Sequence, residues 1–380
     1  MTLALPHNAH LWLGGYIRSR IAPQRPPANG PIHVLFCLAD HYEPNHQQVS
    51  LHQERSRVAR WRTQYPALFD RFRDADGKPP QHSFFFPAEV YNAEHLDALA
   101  SLCADGFGEV EVHLHHGHDT SANLREQLET FTTCLVERHG LLSRHPDGRI
   151  AYAFIHGNWA LDNGALDDAF CGVNDELTVL LQTGCYADFT MPAVPSPAQS
   201  RIVNTIYYAQ DDPNAPRSYD TGVPIRVGAT HPRDSLLLIS GPLRVWWPRP
   251  VRSVMPRIDN GALDSSHGNR PSAARFSRWV SANVTVAGRP EWVFVKVYTH
   301  GAPEFNADVL LGDDMVAFHH ALAQEFNDGS RYCLHYVTAR EMYNIAKAAE
   351  AGKSGNPSGY RDFEIRRVTE PTRRGASLGA

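Results

Sequence analysis

The sequence predicts an α/β fold with a mostly parallel sheet and an irregular, partly β insertion. Three observations predict it. Short apolar runs alternate with helical patterns, polar side chains follow the apolar runs, and the alternation breaks off between residues 193 and 289. Strands that alternate with helices of this length indicate βαβ units. One α/β barrel of 380 residues is an ordinary size.

The predicted elements follow from apolar runs of four to eight residues and from apolar positions spaced three to four apart. Before the insertion, the predicted strands are 33–39, 83–87, 109–114, 149–155 and 186–190, and the predicted helices are 51–72, 93–103, 120–139 and 175–182. Inside the insertion, short β-like runs stand at 225–227, 236–239 and 244–247. After it, we expect a strand at 292–298, a helix at 313–326, a strand at 333–337 and a last helix at 339–350.

These patterns divide the chain into four parts. We expect an N-terminal extension at 1–30, an α/β body formed by 31–192 and 290–350, an insertion at 193–289, and a flexible tail at 351–380. Because a long insertion that follows a strand's carboxyl end starts on that face, we expect it beside the site, where Trp246 and Trp247 become candidates for substrate contact.

The composition excludes several classes of protein. Hydrophobic residues make up 42% and charged residues 20%, so disorder and a disulfide scaffold are excluded. The formal charge of −5 does not favour nucleic acid or an anionic membrane as a partner. We find no signal peptide and no transmembrane segment, and we expect a cytoplasmic protein.

Cysteine and histidine usage points to a different chemistry. The six cysteines are scattered and contain no C-x-x-C pair, which indicates buried thiols rather than a zinc ribbon. The sequence contains 21 histidines, and histidine is the commonest metal ligand and a frequent proton carrier.

Polar side chains follow the predicted strands at the points where the strands end. In parallel α/β barrels, the loops at these carboxyl ends form the active site. We therefore expect the following residues to converge: Asp40, His41 and Glu43 after the first strand, Glu89 after the second, His113, His115, His116 and His118 after the third, His156, Asn158 and Trp159 after the fourth, and His300 after the strand that follows the insertion.

The segment at 113–119, His-Leu-His-His-Gly-His-Asp, is the strongest candidate for a metal site. Residues i and i+2 of a strand point to the same face, so His113 and His115 can present two imidazoles to one ion. Gly117 lets the chain turn and bring His118 round, and Asp40 or His41 could supply a third ligand. The alternative is a solvated histidine-rich loop.

The order of these segments resembles the polysaccharide deacetylase family (NodB homology, carbohydrate esterase 4). The family's first motif is an apolar strand ending in Thr-Phe-Asp-Asp-Gly, and residues 37–41 here are Cys-Leu-Ala-Asp-His. Its second is H-x-x-x-H after a strand, and residues 111–118 are Glu-Val-His-Leu-His-His-Gly-His. Its last is a strand ending in Leu-His, and residues 295–300 are Val-Lys-Val-Tyr-Thr-His. Covering 30–190 and 290–350, the resemblance implies a distorted, partly open (β/α) barrel.

The resemblance also implies an activity, the metal-dependent hydrolysis of an N-acetyl group on a carbohydrate. It implies that Asp40 is the catalytic base and His300 the general acid, around a divalent ion, expected to be Zn²⁺. The ligand set we favour is His41, His113 and His115, with His118 in reserve. His156, Asn158, Trp159 and Glu89 are the candidates for substrate binding, and Glu89 could alternatively support a ligand.

The sequence departs from the family's motifs at three places. His41 stands where the family has a metal-binding Asp. No two of the four histidines after the third strand are four residues apart, so the family's first His corresponds either to His113 or to His115. Residues 190–192, Thr-Met-Pro, lack the arginine of a further motif. Two alternatives therefore stay open, an amide hydrolase acting on a non-sugar substrate and a catalytically silent barrel that binds carbohydrate or a polysaccharide-assembly partner.

Overall fold

The computed structural model describes residues 6–21, 30–248 and 256–367. The helices are α1 Ala9–Ile21, α2 Leu51–Phe69, α3 Ala93–Ala104, α4 Ser121–His139, α5 Glu176–Thr183, α6 Ala273–Val280, α7 Glu304–Leu310, α8 Asp313–Glu325 and α9 Ala339–Glu350. The strands are β1 Ile32–His41, β2 His82–Pro87, β3 Gly108–Leu114, β4 Ser143–Arg144, β5 Ile150–His156, β6 Cys185–Asp188, β7 Ile206–Gln210, β8 Val223–Pro224, β9 Ser235–Ile239, β10 Arg244–Trp246, β11 Arg257–Asp259, β12 Ala262–Leu263, β13 Trp292–Thr299, β14 Tyr332–Tyr336 and β15 Arg366–Arg367.

The central sheet is large and mostly parallel, which confirms the α/β class. Its order is β12-β13-β1-β2-β3-β5-β6-β9-β7-β8. Neighbouring strands pair in parallel from β12 to β9, and β7 and β8 are antiparallel to their neighbours. Strand β14 pairs with the first half of β1, whereas β2 pairs with the second half.

The two ends of this sheet, β12 and β8, are not paired with each other in the described residues. The segment at 284–287 lies between β13 and the residues that follow β8. The Val284 carbonyl accepts from the Phe294 backbone N–H of β13, and the Ala287 N–H donates to the Ile225 carbonyl. The sheet is therefore bridged through one irregular segment, and a barrel remains a prediction.

Side chains alternate between two faces of the sheet, as the pleat of a strand requires. In β1, Val34, Phe36 and Leu38 pack with helices α2 to α8, and we call this side the helix face. Residues 35, 37 and 39 pack against α9, and we call that side the α9 face. The sheet is thus covered on both faces, which explains why its parallel strands are continuous apolar runs.

Helix α9 is buried along its whole length, although it carries four charged side chains. Each of them has a partner. Arg340 binds Glu109, Glu341 pairs with Arg361, and Lys347 donates to the Tyr208 hydroxyl and pairs with Glu350. Buried charges are tolerated when they are paired and hydrogen-bonded, so α9 can fill the space on its face of the sheet.

The predicted insertion contributes strands to the same sheet. Strands β7 and β9 continue it beyond β6, and β12 extends it at the other end. The β10–β11 hairpin stands apart from the sheet, and its Val245 and Ile258 pack near Trp12 of α1. Trp246 lies under the Arg278 guanidinium, 4.3 Å from the ring centroid. The predicted strand at 225–227 is instead the short β8, followed by a single bridge at Arg226.

Both termini differ from the prediction. The N-terminal extension contains α1, which the sequence patterns did not predict, and residues 1–5 and 22–29 lie outside the described residues. In the predicted flexible tail, residues 351–367 pack against the body because Arg361 pairs with Asp74, Asp76 and Glu341. That corrects the prediction for this part, and residues 368–380 lie outside the described residues. Among described helices, none combines the length and apolar character needed to cross a bilayer.

Candidate metal centre

The alternation of β1 sends its last two polar residues to opposite faces of the sheet. Asp40 follows the parity of Leu38 and lies on the helix face, whereas His41 follows the parity of Ala39 and lies on the α9 face. The chain continues directly to Glu43, whose side chain is 11% exposed.

Glu43 is the centre of a cluster that joins three strand ends. Its Oε1 lies 3.4 Å from His113 Nε2, 3.6 Å from His115 Nε2 and 3.9 Å from His300 Nε2. The His41 ring lies beside those of His113 and His300, with centroids 4.8 and 4.6 Å away. We call these five residues, His41, Glu43, His113, His115 and His300, the mouth cluster.

The backbone orients His113 toward Glu43. Its Nδ1 lies 2.9 Å from the Ile155 carbonyl oxygen, so Nδ1–H donates and Nε2 keeps a lone pair. That Nε2 is buried and has no hydrogen-bond partner. A ligand histidine commonly donates its other ring N–H to a carbonyl or a carboxylate, which fixes the tautomer.

His115 is oriented in the same way by Glu89. Its Nδ1 donates to Glu89 Oε1 at 2.6 Å, which leaves Nε2 directed toward Glu43. Burial lowers the pKa of His115, but the hydrogen bond that its ring donates to Glu89 outweighs burial, so the pKa is raised. Gly157 packs against the ring so closely that a Cβ there would lie 2.4 Å from two ring carbons.

The mouth cluster fits a divalent metal ion. Besides His113 Nε2, the buried Nδ1 of His41 has no hydrogen-bond partner. Burial raises the pKa of Glu43, but the neighbouring imidazoles of His113, His46 and His300 outweigh burial and hold the pKa well below its usual range. A carboxylate with two or more imidazoles is a donor set that zinc and similar ions accept.

Two aromatic rings border the cluster. Trp159 lies 4.9 Å from the His41 ring and 4.9 Å from the Tyr298 ring, between centroids. Its φ of 60° is in the left-handed region, which is uncommon for a bulky residue and is found where structure around it fixes the backbone. Of the predicted substrate-binding residues, Trp159 and Glu89 therefore lie at the mouth cluster.

Asp40 lies on the helix face of the sheet. It is fully buried, with Oδ2 2.8 Å from His82 Nε2 and Oδ1 accepting the Gly301 backbone N–H at 2.6 Å. Both carboxylate oxygens are engaged on the helix face. The structure thus brings Asp40 to the loop that carries His300, but as a support for its backbone. The role of Asp40 as the base stays a prediction.

A second cluster lies on the helix face, and we call His116, His156, Cys171 and Glu176 the buried cluster. Glu176 Oε1 lies 3.1 Å from His116 Nε2 and 3.8 Å from His156 Nε2, and Glu176 Oε2 lies 3.5 Å from Cys171 Sγ. His156 is fully buried here. This corrects its prediction as a substrate-binding residue, because β5 turns it to the side away from the mouth cluster.

The other two predicted residues also lie outside the mouth cluster. Asn158 uses its side-chain N–H groups to donate to the His116 and Phe170 carbonyls, so it joins two loops. His118 is exposed, and its φ of 49° turns the chain outward, where its backbone N–H binds the Asp168 carbonyl. The prediction of His118 as a reserve ligand is corrected for this reason.

Sequence reasoning missed the central residue of each cluster. Glu43 follows the first predicted strand, and its spacing two residues after His41, which places it on the same side, is the signal that could have identified it. Glu176 and Cys171 carried no recognisable signal, because they reach the cluster through an irregular loop and the first turn of α5.

Known proteins show little similarity to this chain. No protein-family model matches the sequence, and no curated protein matches it. Among solved structures, the chain is similar to one described as "putative polysaccharide deacetylase from Mycobacterium smegmatis", with a TM-score of 0.44 and 13% identity over 92% of this chain and 98% of that chain. A similarity of this size does not assign the chain to a family.

Proposed function

We propose that the protein is a metal-dependent hydrolase that removes an N-acetyl group from a polysaccharide, a glycan precursor or an amino sugar. The observation that carries this proposal is the mouth cluster itself. It gathers ring nitrogens without partners around one carboxylate, at the carboxyl ends of parallel strands, where α/β folds build their active sites.

One side of the mouth cluster is open to solvent. The side chains of His115 and His300 are 33% and 32% exposed, whereas that of His113 is fully buried. Catalytic metal sites combine about three protein ligands with an open position, and structural sites are closed. The mouth cluster has the open arrangement.

Glu43, His113 and His115 would hold the metal through Glu43 Oε1 and the two Nε2 atoms. A bound divalent ion supplies Lewis acidity to a carbonyl oxygen and acidifies water. Ile155 and Glu89 keep the two imidazoles in the tautomer that leaves Nε2 free, and Glu43 supplies a negative charge that draws a cation to this position.

We assign proton transfer to His300. Its half-exposed ring stands beside Glu43, and it can take a proton from the attacking water and donate one to the leaving amine. Asp40 is a positioning residue in this assignment, because it binds the backbone N–H of Gly301, the next residue in the chain. Trp159 offers an aromatic face to a sugar ring.

The test is release of acetate from N-acetylated oligosaccharides by the purified protein supplied with Zn²⁺. We expect His113→Ala to lose both the mouth metal and the activity, because it removes the buried Nε2. The matched control is His118→Ala, an exposed histidine of the same loop, which keeps both. Equal acetate release by the His113→Ala variant and the wild type would overturn the proposal.

A second candidate function is binding of carbohydrate without hydrolysis. The engagement of both Asp40 oxygens favours it, because the residue that the resemblance implies as base is not free. In this case the wild type binds oligosaccharide without releasing acetate, and Trp159→Ala weakens binding. Contacts to an aromatic face are worth about 1 kcal/mol by the values for aromatic pairs, so the loss should be roughly fivefold to tenfold.

A further inference from the structure

The buried cluster contains a set of donor atoms that is not used by the proposed reaction. Its four side chains are His116, His156, Cys171 and Glu176, and all four are buried. Their ligand atoms lie within 4.8 Å of one another. Metal–ligand bonds of about 2.0–2.3 Å put the ligand atoms of a tetrahedral zinc ion roughly 3–4 Å apart. Glu176 Oε1 lies 3.1 Å from His116 Nε2 and 3.8 Å from His156 Nε2, and Glu176 Oε2 lies 3.5 Å from Cys171 Sγ, so these separations are of that size.

The sulfur of Cys171 has the surroundings of a metal-bound thiolate. It accepts backbone N–H groups from Asn163 at 3.3 Å and from Val173 at 3.5 Å. Charge on sulfur is stabilised by such donors, and thiolate is the form that binds metals. The thiol proton of Cys171 has two acceptors within reach, the Val173 carbonyl oxygen at 3.6 Å and Glu176 Oε2 at 3.5 Å.

The histidines add two further observations. His116 lies between two carboxylates, with Nδ1 3.1 Å from Asp119 Oδ2 and Nε2 3.1 Å from Glu176 Oε1. A carboxylate behind a histidine is the usual support of a zinc ligand. The Nε2 of His156 points into the cluster, is buried, and has no hydrogen-bond partner.

The segment that carries Cys171 needs contacts that determine its backbone conformation. Between β5 and α5, residues 157–175 contain no helix beyond the short turn Asp168–Phe170. Trp159, Asp162, Asn163 and Leu166 all have positive φ, which is unfavourable for residues other than glycine. Such a segment keeps one conformation only when contacts determine it, and a metal ion that joins Cys171 and Glu176 to β3 and β5 would do so.

We propose that the buried cluster is a closed, structural zinc site, with His116, Cys171 and Glu176 as ligands and His156 completing the tetrahedron. The site is separate from the mouth cluster and independent of the reaction. On binding, Cys171 gives up its thiol proton to solvent. The His156 ring proton moves from Nε2 to Nδ1, which breaks the hydrogen bond that the Asn158 backbone N–H donates to Nδ1 in the metal-free protein. The ion fastens the 157–175 segment to the strand ends that carry His113 and His115.

Cobalt substitution tests this site without reference to activity. The mouth cluster contains no cysteine, so a thiolate-to-cobalt charge-transfer absorption in the near ultraviolet reports the buried cluster alone. We expect the Co²⁺-loaded wild type to show this absorption and to hold about two ions per chain. The His113→Ala variant should keep the absorption with one ion fewer.

Cys171→Ser should abolish the absorption, and Cys103→Ser, which removes a buried thiol elsewhere, should retain it. If Cys171→Ser fails to fold, the wild-type spectrum still decides. A Co²⁺-loaded wild type without charge-transfer absorption overturns the site, as does an absorption that Cys171→Ser leaves unchanged. Loss of acetate release alone, with the absorption intact, concerns only the mouth cluster.

Discussion

The mouth cluster and the buried cluster include adjacent residues, His115 and His116, yet their environments differ. In the mouth cluster, Glu43 and His115 are partly exposed, and ring nitrogens face an open side. In the buried cluster, Glu176 is fully buried and contacts His116, Cys171 and the Asp162 N–H. An open cluster can admit a substrate, whereas a closed one can only fix the backbone. Under the two proposals, the end of β3 contributes to a reaction on one face and to stability on the other.

The sharpest way to test this comparison is to remove the central carboxylate of each cluster. Glu176→Ala leaves the Asp162 N–H and the His116 ring without their buried acceptor, and we expect a loss of about 3–5 kcal/mol in the free energy of unfolding. Glu43→Ala should cost less, because solvent reaches its side of the cluster. Urea unfolding with a chelator present measures both, and a larger loss for Glu43→Ala would contradict the comparison.

A smaller effect is expected where the two clusters approach each other. Gly157→Ala places a Cβ 2.4 Å from the His115 ring and forces this side chain to move. We expect the affinity of the mouth cluster for Zn²⁺ to fall about 10- to 100-fold, measured by competition with a chromophoric chelator. Gly14→Ala in α1 is the control, because its Cβ meets nothing within 4 Å. Unchanged affinity in Gly157→Ala would show that His115 is not a ligand.

Glu89 gives a milder test of the same histidine. Glu89→Gln keeps an acceptor beside His115 Nδ1 but removes the charge that supports it. We expect about a tenfold weaker affinity for Zn²⁺, at the low end of such effects. The control Glu126→Gln removes an exposed carboxylate from the neighbouring helix α4. If both variants bind Zn²⁺ equally, the Glu89 bond does not orient a ligand.

The smallest expected effect is on the stability of the fold at acid pH, and it arises from His33, which is far from both clusters. At the start of β1, His33 Nδ1 lies 2.8 Å from His335 Nε2, and Asp76 and Glu291 are the nearby acidic groups. Burial, then His335, lowers the pKa of His33 to about 4. Because the unfolded chain takes up a proton there first, stability should fall as the pH drops from about 6.5 to about 4.

This pH dependence should be weaker in His33→Gln and unchanged in His52→Gln, which alters an exposed histidine of α2. Urea unfolding at several pH values between 4 and 7 measures the slope. The result separates acid unfolding from acid release of metal at the mouth cluster. An identical slope in His33→Gln and the wild type would mean that other groups determine it.

Much of the fold could be predicted because its signals are local. The predicted strands at 33–39, 83–87 and 109–114 correspond to β1, β2 and β3, and the predicted helix at 339–350 is α9. Each is an apolar run or a periodic stretch bounded by a cap or a turn, such as the Thr338–Glu341 capping box before α9. Helix α1 lacked such periodicity, so its existence depends on contacts of Trp12 with the β10–β11 region.

Part of the mouth cluster could also be predicted, because four of its residues follow predicted strands. Strand ends in a parallel sheet must meet at one edge, so His41, His113, His115 and His300 could be expected together from their positions. Which face each side chain takes depends on parity at the last residue of a strand, where a shift of one residue reverses the outcome. That is why the sequence could not show that Asp40 and His156 lie on the helix face.

The sequence by itself determined the strand–helix alternation, the polar residues at the strand ends and the histidine-rich turn after β3. Only the tertiary structure decided that Glu43 stands at the centre of four histidines and that Glu176 and Cys171 join His116 on the other face. The physical reason is distance along the chain. Alternation and capping depend on neighbours within a few residues, whereas the two clusters depend on strand register and on loops whose course is set by packing.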